Sequence, residues 1–210
     1  MKAMVLAAGL GTRLRPLTND RPKALVEISG QTLLEITLAR LREFGIREVI
    51  INVHHFADKA IDYLKANQNF GMEIEISRED VLLDTGGGLK KAGWFFQNDS
   101  APFILHNVDV ISNIDLKAML QFHTERRALA TLAVQERKSS RYLLFNEELQ
   151  LCGRKLGNDN PPQIVRQSPN LQPLAFNGIH VISPRLFPLM KEEGIFPIID
   201  CYLRLAGAGE

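Results

Sequence analysis

The residues best suited to chemistry lie together near the start of the chain. Residues 6–23 read Leu-Ala-Ala-Gly-Leu-Gly-Thr-Arg-Leu-Arg-Pro-Leu-Thr-Asn-Asp-Arg-Pro-Lys, directly after a short apolar strand signal at Met4, Val5 and Leu6. Gly9 and Gly11 let the backbone approach a ligand closely, and successive N–H groups in such a loop can form an anion-binding nest. Arg13, Arg15 and Lys23 add cations along the same loop, which suits a polyphosphate such as that of a nucleotide. If Arg13 and Lys23 were only solvated charges, the surrounding glycines and prolines would have no packing purpose. Arg15 and Arg21 read as exposed cations.

Other phosphate motifs fit less well. A dinucleotide fingerprint needs a third glycine where Leu14 stands, and a P-loop needs a lysine where Trp94 follows Gly88 and Gly93. Asp109 follows an apolar strand signal at 103–108. A carboxylate at the carboxyl end of such a strand can hold Mg²⁺ against phosphates while the ion keeps several waters. A second glycine cluster, Asp84-Thr85-Gly86-Gly87-Gly88, is costly at a helix start and suggests backbone passing close to something flat or anionic. Asn177-Gly178 interrupts an apolar strand, where an interior glycine often marks close approach of a ligand. His54 and His55 are adjacent after a strand, so they point apart and make a poor chelate. Trp94, Phe95 and Phe96 read as core, and Lys90 and Lys91 as a solvated helix face.

These residues need elements to position them. Thr32-x-x-Glu35 is a capping-box pattern, Leu34, Leu38 and Leu41 form a helical stripe, and Gly45 suits the stop. Strand signals follow at 48–53, 72–77, 103–108 and 128–135, separated by helix signals at 56–66, 86–96 and, capped by Asn113, up to Arg126. Asp115 falls in the first turn of that last helix. The β-α-β rhythm predicts an α/β fold, a three-layer α/β/α sandwich on a mostly parallel mixed sheet of Rossmann-like type. Beyond residue 140 the spacing predicts a hairpin over 142–145 and 149–152, a loop at 157–162, a strand at 174–182, and a helix from Ser183-Pro184 to about Lys191. A last helix spans about 197–206. With no linker or repeat, the chain reads as a single domain, its nucleotide-binding half at about 1–110 and its acceptor-binding half at about 111–210.

The loop at 6–23 also resembles the signature of the nucleotidyltransferase family, which makes NDP-sugars from an NTP and a sugar 1-phosphate. Gly9, Gly11, Thr12, Arg13, Leu14, Pro16, Leu17, Thr18, Pro22 and Lys23 match that pattern. The subgroup it looks most like contains mannose-1-phosphate guanylyltransferase-like and N-acetylmuramate-1-phosphate uridylyltransferase-like proteins. The resemblance implies Arg13 and Lys23 as catalytic cations, and Ala8, Gly9, Gly11, Thr12, Arg13, Thr85, Gly86 and Gly87 as nucleotide-binding residues. It further implies Asn177 and Gly178 on the sugar side and Asp109 as the Mg²⁺ ligand, here preceded by Val108 in place of the family's usual glycine. Two departures accompany it. The Glu-Lys pair that many sugar-specific members carry is replaced by Val165-Arg166-Gln167, and the second metal aspartate, in an Asp-x-Gly context, finds no match up to Glu210, so the C-terminus reads as truncated. A phosphocholine cytidylyltransferase shares the loop, and a non-catalytic nucleotide-binding regulatory protein is the reading from another class.

Bulk composition fits these expectations. A net charge of +1 gives no reason to expect nucleic acid or an anionic membrane as partner. Hydrophobic content of 45% in 210 residues is enough for one substantial core. Cys152 and Cys201 lack metal-ligand spacing and suit a reducing cytoplasm. No apolar run approaches a bilayer's thickness, and no leader precedes the first strand, so a soluble cytoplasmic protein is expected. The sequence does not set the oligomeric state.

Overall fold

Along the first strand, β1 (Lys2–Leu6), Ala3 and Val5 face one way, Met4 and Leu6 the other, and all four are buried. A strand buried on both faces belongs in the middle of a sheet covered on both sides. The computed structural model describes residues 1–157 and 160–210, and the predicted loop at 157–162 lies partly outside them.

The remaining strands are β2 (Glu27–Ile28), β3 (Gln31–Thr32), β4 (Glu48–Val53), β5 (Glu73–Arg78), β6 (Phe103–Asn107), β7 (Ala130–Gln135), β8 (Arg141–Phe145), β9 (Leu151–Leu156), β10 (Gln163–Ile164) and β11 (Gln172–Ile182). The helices are α1 (Leu33–Glu43), α2 (Ala57–Ala66), α3 (Asp84–Lys91), α4 (Leu116–Glu125) and α5 (Ile198–Gly207). Nine strands form one sheet in the order β10-β9-β8-β11-β6-β1-β4-β5, with β7 also paired to β11. The block β6-β1-β4-β5 is parallel, and β11 joins it antiparallel to β6. Strands β8 to β10 extend the sheet by antiparallel pairing.

From β1 the chain steps outward through β4 to β5, then returns past β1 to β6. Right-handed crossovers put the outward and returning connections on opposite faces. Leu34 and Leu38 of α1, Leu64 of α2 and Met119 of α4 accordingly pack on Val5, Ile51 and Ile104. Leu89 of α3 with Cys201 and Leu205 of α5 packs on Met4, Ile50 and Leu105. The three-layer α/β/α sandwich is thus present, and the reversal between β1 and β6 opens a crevice at the carboxyl ends of those strands.

Local signals explain the ends of α1. Thr32 Oγ1 accepts the Glu35 N–H at 3.1 Å, while the Glu35 carboxylate turns to the Tyr63 hydroxyl and Gln31 instead of completing the box. Gly45 has φ +79°, and Ile46 N–H returns to Leu41 O at 3.1 Å, closing the helix.

Other expectations shift. The predicted helix after Ser183-Pro184 is only a 3-10 stretch, Pro184–Leu189, because Pro188 cannot donate and the Ser183 hydroxyl binds Ala128 O and His123. Asp115, not Asn113, caps α4, accepting from Lys117 and Ala118 N–H. Trp94 is half-exposed, leaving Phe96 to stack on Phe103 in the core. Lys90 and Lys91 are clasps, donating to Glu192 O and Arg78 O respectively. Both cysteines are free and buried, and among the described residues no helix is long and apolar enough to cross a membrane.

Candidate active site

Because β1 and β6 run in parallel, the loops that follow them leave the same edge of the sheet and border the crevice between them. After β1 the chain turns through Gly9 and Gly11 into a 3-10 turn at Thr12–Leu14. Gly11 has φ +64°, and a Cβ there would lie 2.8 Å from Thr18 Cγ2 and 3.1 Å from Lys23 Cβ. Glycine therefore lets the loop fold onto its own return limb, and the Thr18 hydroxyl donates to Gly11 O at 2.9 Å to hold it there. Among the described residues, none accepts from the N–H groups of Gly9, Leu10, Gly11, Thr12 or Arg13. A run of amides without protein acceptors is the donor array an anion needs.

Ala8 differs from its neighbours. Its N–H, with that of Ala7, points to Asn52 Oδ1 at 3.3 and 2.7 Å, so this part of the loop is held by protein and offers no N–H to a ligand.

Arg13 is exposed on the turn, and Arg15 is also exposed. Arg21 pairs with Asp20, whose carbonyl also receives Lys59 from α2, and this anchors the outer limb of the loop. Lys23 opens a second 3-10 turn after Pro22 and directs its ammonium back beneath Gly9. There it meets Asp109 at 2.8 Å, so the lysine of the β1 loop and the aspartate beyond β6 pair across the crevice. The Lys23 side chain is 16% exposed and that of Asp109 33%. Val108 is wholly buried beneath α1, where its carbonyl accepts the Thr37 hydroxyl. A valine is accommodated before Asp109 because its side chain faces the core and not the crevice. His106 is buried and its pKa is pushed down to about 4, chiefly by desolvation, so it is neutral at neutral pH. The charge at the end of β6 belongs to Asp109.

The residues fit one kind of metal site. Among the described residues no three His, Cys, Asp or Glu side chains gather into a metal cage. A single carboxylate suits Mg²⁺ whose other ligands are substrate phosphates and water.

Sequence reasoning placed the glycine triplet at a helix start, but α3 begins at Asp84 and its glycines lie inside it. The flat group they approach is the protein's own. A Cβ on Gly86 would lie 2.3 Å from the Phe196 ring, and one on Gly87 would strike Gly194 O. Both glycine N–H groups donate to Phe196 O, and the Thr85 hydroxyl accepts from Ile198 N–H. The smallness of Gly86 and Gly87 thus serves the packing of α3 against the chain leading into α5.

The β11 glycine has a similar explanation. Gly178 has φ +79°, sits where the β11–β7 register shifts, and a Cβ there would fall 2.5 Å from Asn107 Nδ2. Asn107 is half-buried at the end of β6, two residues before Asp109. Sequence reasoning did not single out Asn107, and its closeness to Gly178 follows only once β6 and β11 pair, beginning beside it at His106 and Ile179. Gly178→Ala is expected to destabilise the fold by roughly 1–2 kcal/mol from the left-handed backbone alone. A fall in the urea midpoint checks this; an unchanged midpoint would mean that neither the left-handed backbone at Gly178 nor its contact with Asn107 constrains the fold. The adjacent histidines face different partners, His54 Nδ1 donating to Glu79 O and His55 lying tilted against the Phe56 ring.

Comparison with known proteins bears on this geometry. Residues 2–144 match the profile of the family described as nucleotidyl transferase. The chain is 35% identical over 99% of its length to N-acetylmuramate alpha-1-phosphate uridylyltransferase of Caulobacter vibrioides, covering 85% of that protein. It is 31% identical over 93% of its length to the mannose-1-phosphate guanylyltransferase catalytic subunit beta of Drosophila melanogaster, but spans only 53% of that relative. Among solved structures, HddC from Yersinia pseudotuberculosis, complexed with GMP-PN, superposes with a TM-score of 0.74 at 21% identity, over 94% of this chain and 82% of that one.

Proposed function

This chain belongs to the nucleotidyl transferase family, and from that premise we propose that it joins an NTP to a sugar 1-phosphate, giving an NDP-sugar and pyrophosphate. The observation that carries this reading is the Lys23–Asp109 pair, beside a loop whose N–H groups from Gly9 to Arg13 have no acceptor among the described residues and which carries Arg13.

A phosphate oxygen of the acceptor attacks the α-phosphorus, a new P–O bond forms, and the bond from the α-phosphorus to the bridging oxygen breaks with pyrophosphate leaving in line. The attacking oxygen is already anionic near neutral pH, so the reaction needs alignment and charge neutralisation and not a general base. The N–H groups of Gly9, Gly11 and Thr12 hold the triphosphate, while Ala8 contributes its place beside the nucleoside. Arg13 grips two phosphate oxygens with its planar fork. Lys23, held beside Asp109, neutralises the transferring phosphate, and Asp109 is the residue that would hold Mg²⁺ against the same group. When bound, the ion neutralises charge on the phosphates. The Thr85–Gly87 turn of α3 is a wall of the nucleoside site, its glycine N–H groups being taken by Phe196. Asn177 and Gly178 border the acceptor, with the Asn107 amide between them and Asp109. An enzyme of this kind works in the cytoplasm, where NTPs and sugar phosphates are supplied.

Pyrophosphate release with Mg²⁺, crossing ATP, GTP, UTP, CTP and dTTP against sugar 1-phosphates and phosphocholine, tests the proposal. Release with one NTP and one sugar 1-phosphate is expected. Turnover of CTP with phosphocholine alone would replace it with the cytidylyltransferase reading. Silence across the panel with an NTP still bound would favour the nucleotide-binding regulatory reading or a truncated site.

A further inference from the structure

Behind the glycine loop lies a buried carboxylate with no ion-pair partner among the described residues. Glu79, just beyond β5, is 2% exposed, and so is Asn52 on β4. Glu79 Oε1 accepts from Asn52 Nδ2 at 2.7 Å, and its Oε2 accepts from the Leu83 N–H at 3.0 Å. Asn52 Oδ1 in turn accepts from Ala7 and Ala8 N–H. The Glu79 backbone is itself pinned, its N–H donating to Val53 O and its carbonyl accepting from His54 Nδ1. Gly88 explains why α3 can lie so close: a Cβ there would be 2.7 Å from Glu79 Oε1 and 2.9 Å from Asn52 Nδ2.

Burying an unpaired carboxylate is expensive, so the chemistry must need something only a carboxylate gives. An ionised carboxylate is acceptor-only, with two oxygens. Facing Asn52, it compels the amide to present its NH₂ group, which leaves Oδ1 directed at the loop. Its other oxygen satisfies Leu83 N–H at the start of α3. A glutamine offers one acceptor for these two donors.

We propose that Glu79 is a positioning residue that sets the shape of the anion loop through Asn52 and ties that loop to the start of α3. The inference rests on the proposed NTP site for its kinetic consequence, though not for the linkage itself. Asn52 takes the N–H groups of Ala7 and Ala8, and the amides that follow, Gly9 to Arg13, are left without an acceptor among the described residues. The phosphate side and the nucleoside side of the site then share one buried anchor.

The test is a polarity swap. Asn52→Asp sets two carboxylates against each other, and Glu79→Gln leaves a donor without an acceptor. The double variant restores complementarity, since the Nε2 group of the introduced amide can donate to one oxygen of the introduced carboxylate while the amide Oε1 still accepts from Leu83 N–H. Each single variant is expected to raise the KM for the NTP at least about tenfold while the acceptor KM stays within about twofold, and the double variant to recover to within about threefold of wild type. A loss of folded protein alone would lower kcat and leave both KM values unchanged. Amide hydrogen exchange provides the second reading, with faster exchange at Ala7 and Ala8 expected in Glu79→Gln and restored protection in the double variant. An unchanged NTP KM in both single variants, equal rises in both KM values, or a double variant no better than the worse single one would overturn the proposal. If the wild-type protein turns nothing over, the proposed function fails, and unchanged exchange at Ala7 and Ala8 would then overturn the linkage on its own.

Discussion

Arg13→Ala lowers turnover at least about a hundredfold while leaving the thermal midpoint unchanged. The first half of this expectation follows from charge. The fork of Arg13 can meet two phosphate oxygens at once, and removing one preorganised donor from a developing anion commonly costs about 10²–10³ in kcat. The second half follows from position. Arg13 is exposed on a short 3-10 turn, and it makes no ion pair or side-chain hydrogen bond among the described residues. The loop is held instead by the Gly11–Thr18 contact and by Asn52, neither of which the substitution touches. Arg13→Lys separates charge from geometry: a single ammonium keeps the charge and loses the two-oxygen grip, so recovery should be partial. An Arg13→Ala protein that turns over like wild type would remove Arg13 from the reaction.

The parts of this site that were legible in the sequence are those whose cause is local. The loop at 6–23 concentrates glycines, prolines and cations in one stretch, and the structure closes it with contacts inside that stretch, such as Gly11 with Thr18 and Lys23. Leu34, Leu38 and Leu41 gave α1 through helical spacing, and Thr32 and Gly45 gave its ends.

What escaped depends on partners distant in the chain. The glycines of α3 announced a close approach, but its partners, Phe196 and Gly194, lie far along the chain, beyond β11, and bear no local mark. Gly178 likewise signalled crowding without revealing that Asn107 supplies it. Glu79 carries no local mark in the sequence, because its burial is decided by Asn52 on the neighbouring strand and by the missing side chain of Gly88. A glycine in a sequence states that something comes close; only the fold states what.

Asp109→Asn is expected to lower turnover by about 10²–10³ and to raise the Mg²⁺ concentration that gives half the maximal rate. Asparagine keeps the size of the side chain and an oxygen that Lys23 can still reach, so a loss of activity must come from the missing charge. The contact with Lys23 adds a second, sharper expectation. The two side chains lie 2.8 Å apart, partly shielded from water, on loops that leave different strands. If the pair acts as one unit across the crevice, removing either member should take most of what removing both takes. Lys23→Met is therefore expected to cost about a hundredfold alone, and the double variant to fall at least about tenfold short of the product of the single losses. Losses that simply multiply would mean that Lys23 and Asp109 serve the reaction separately and that their contact is incidental. Full activity in Asp109→Asn with an unchanged Mg²⁺ requirement would remove Asp109 as the residue that holds the ion.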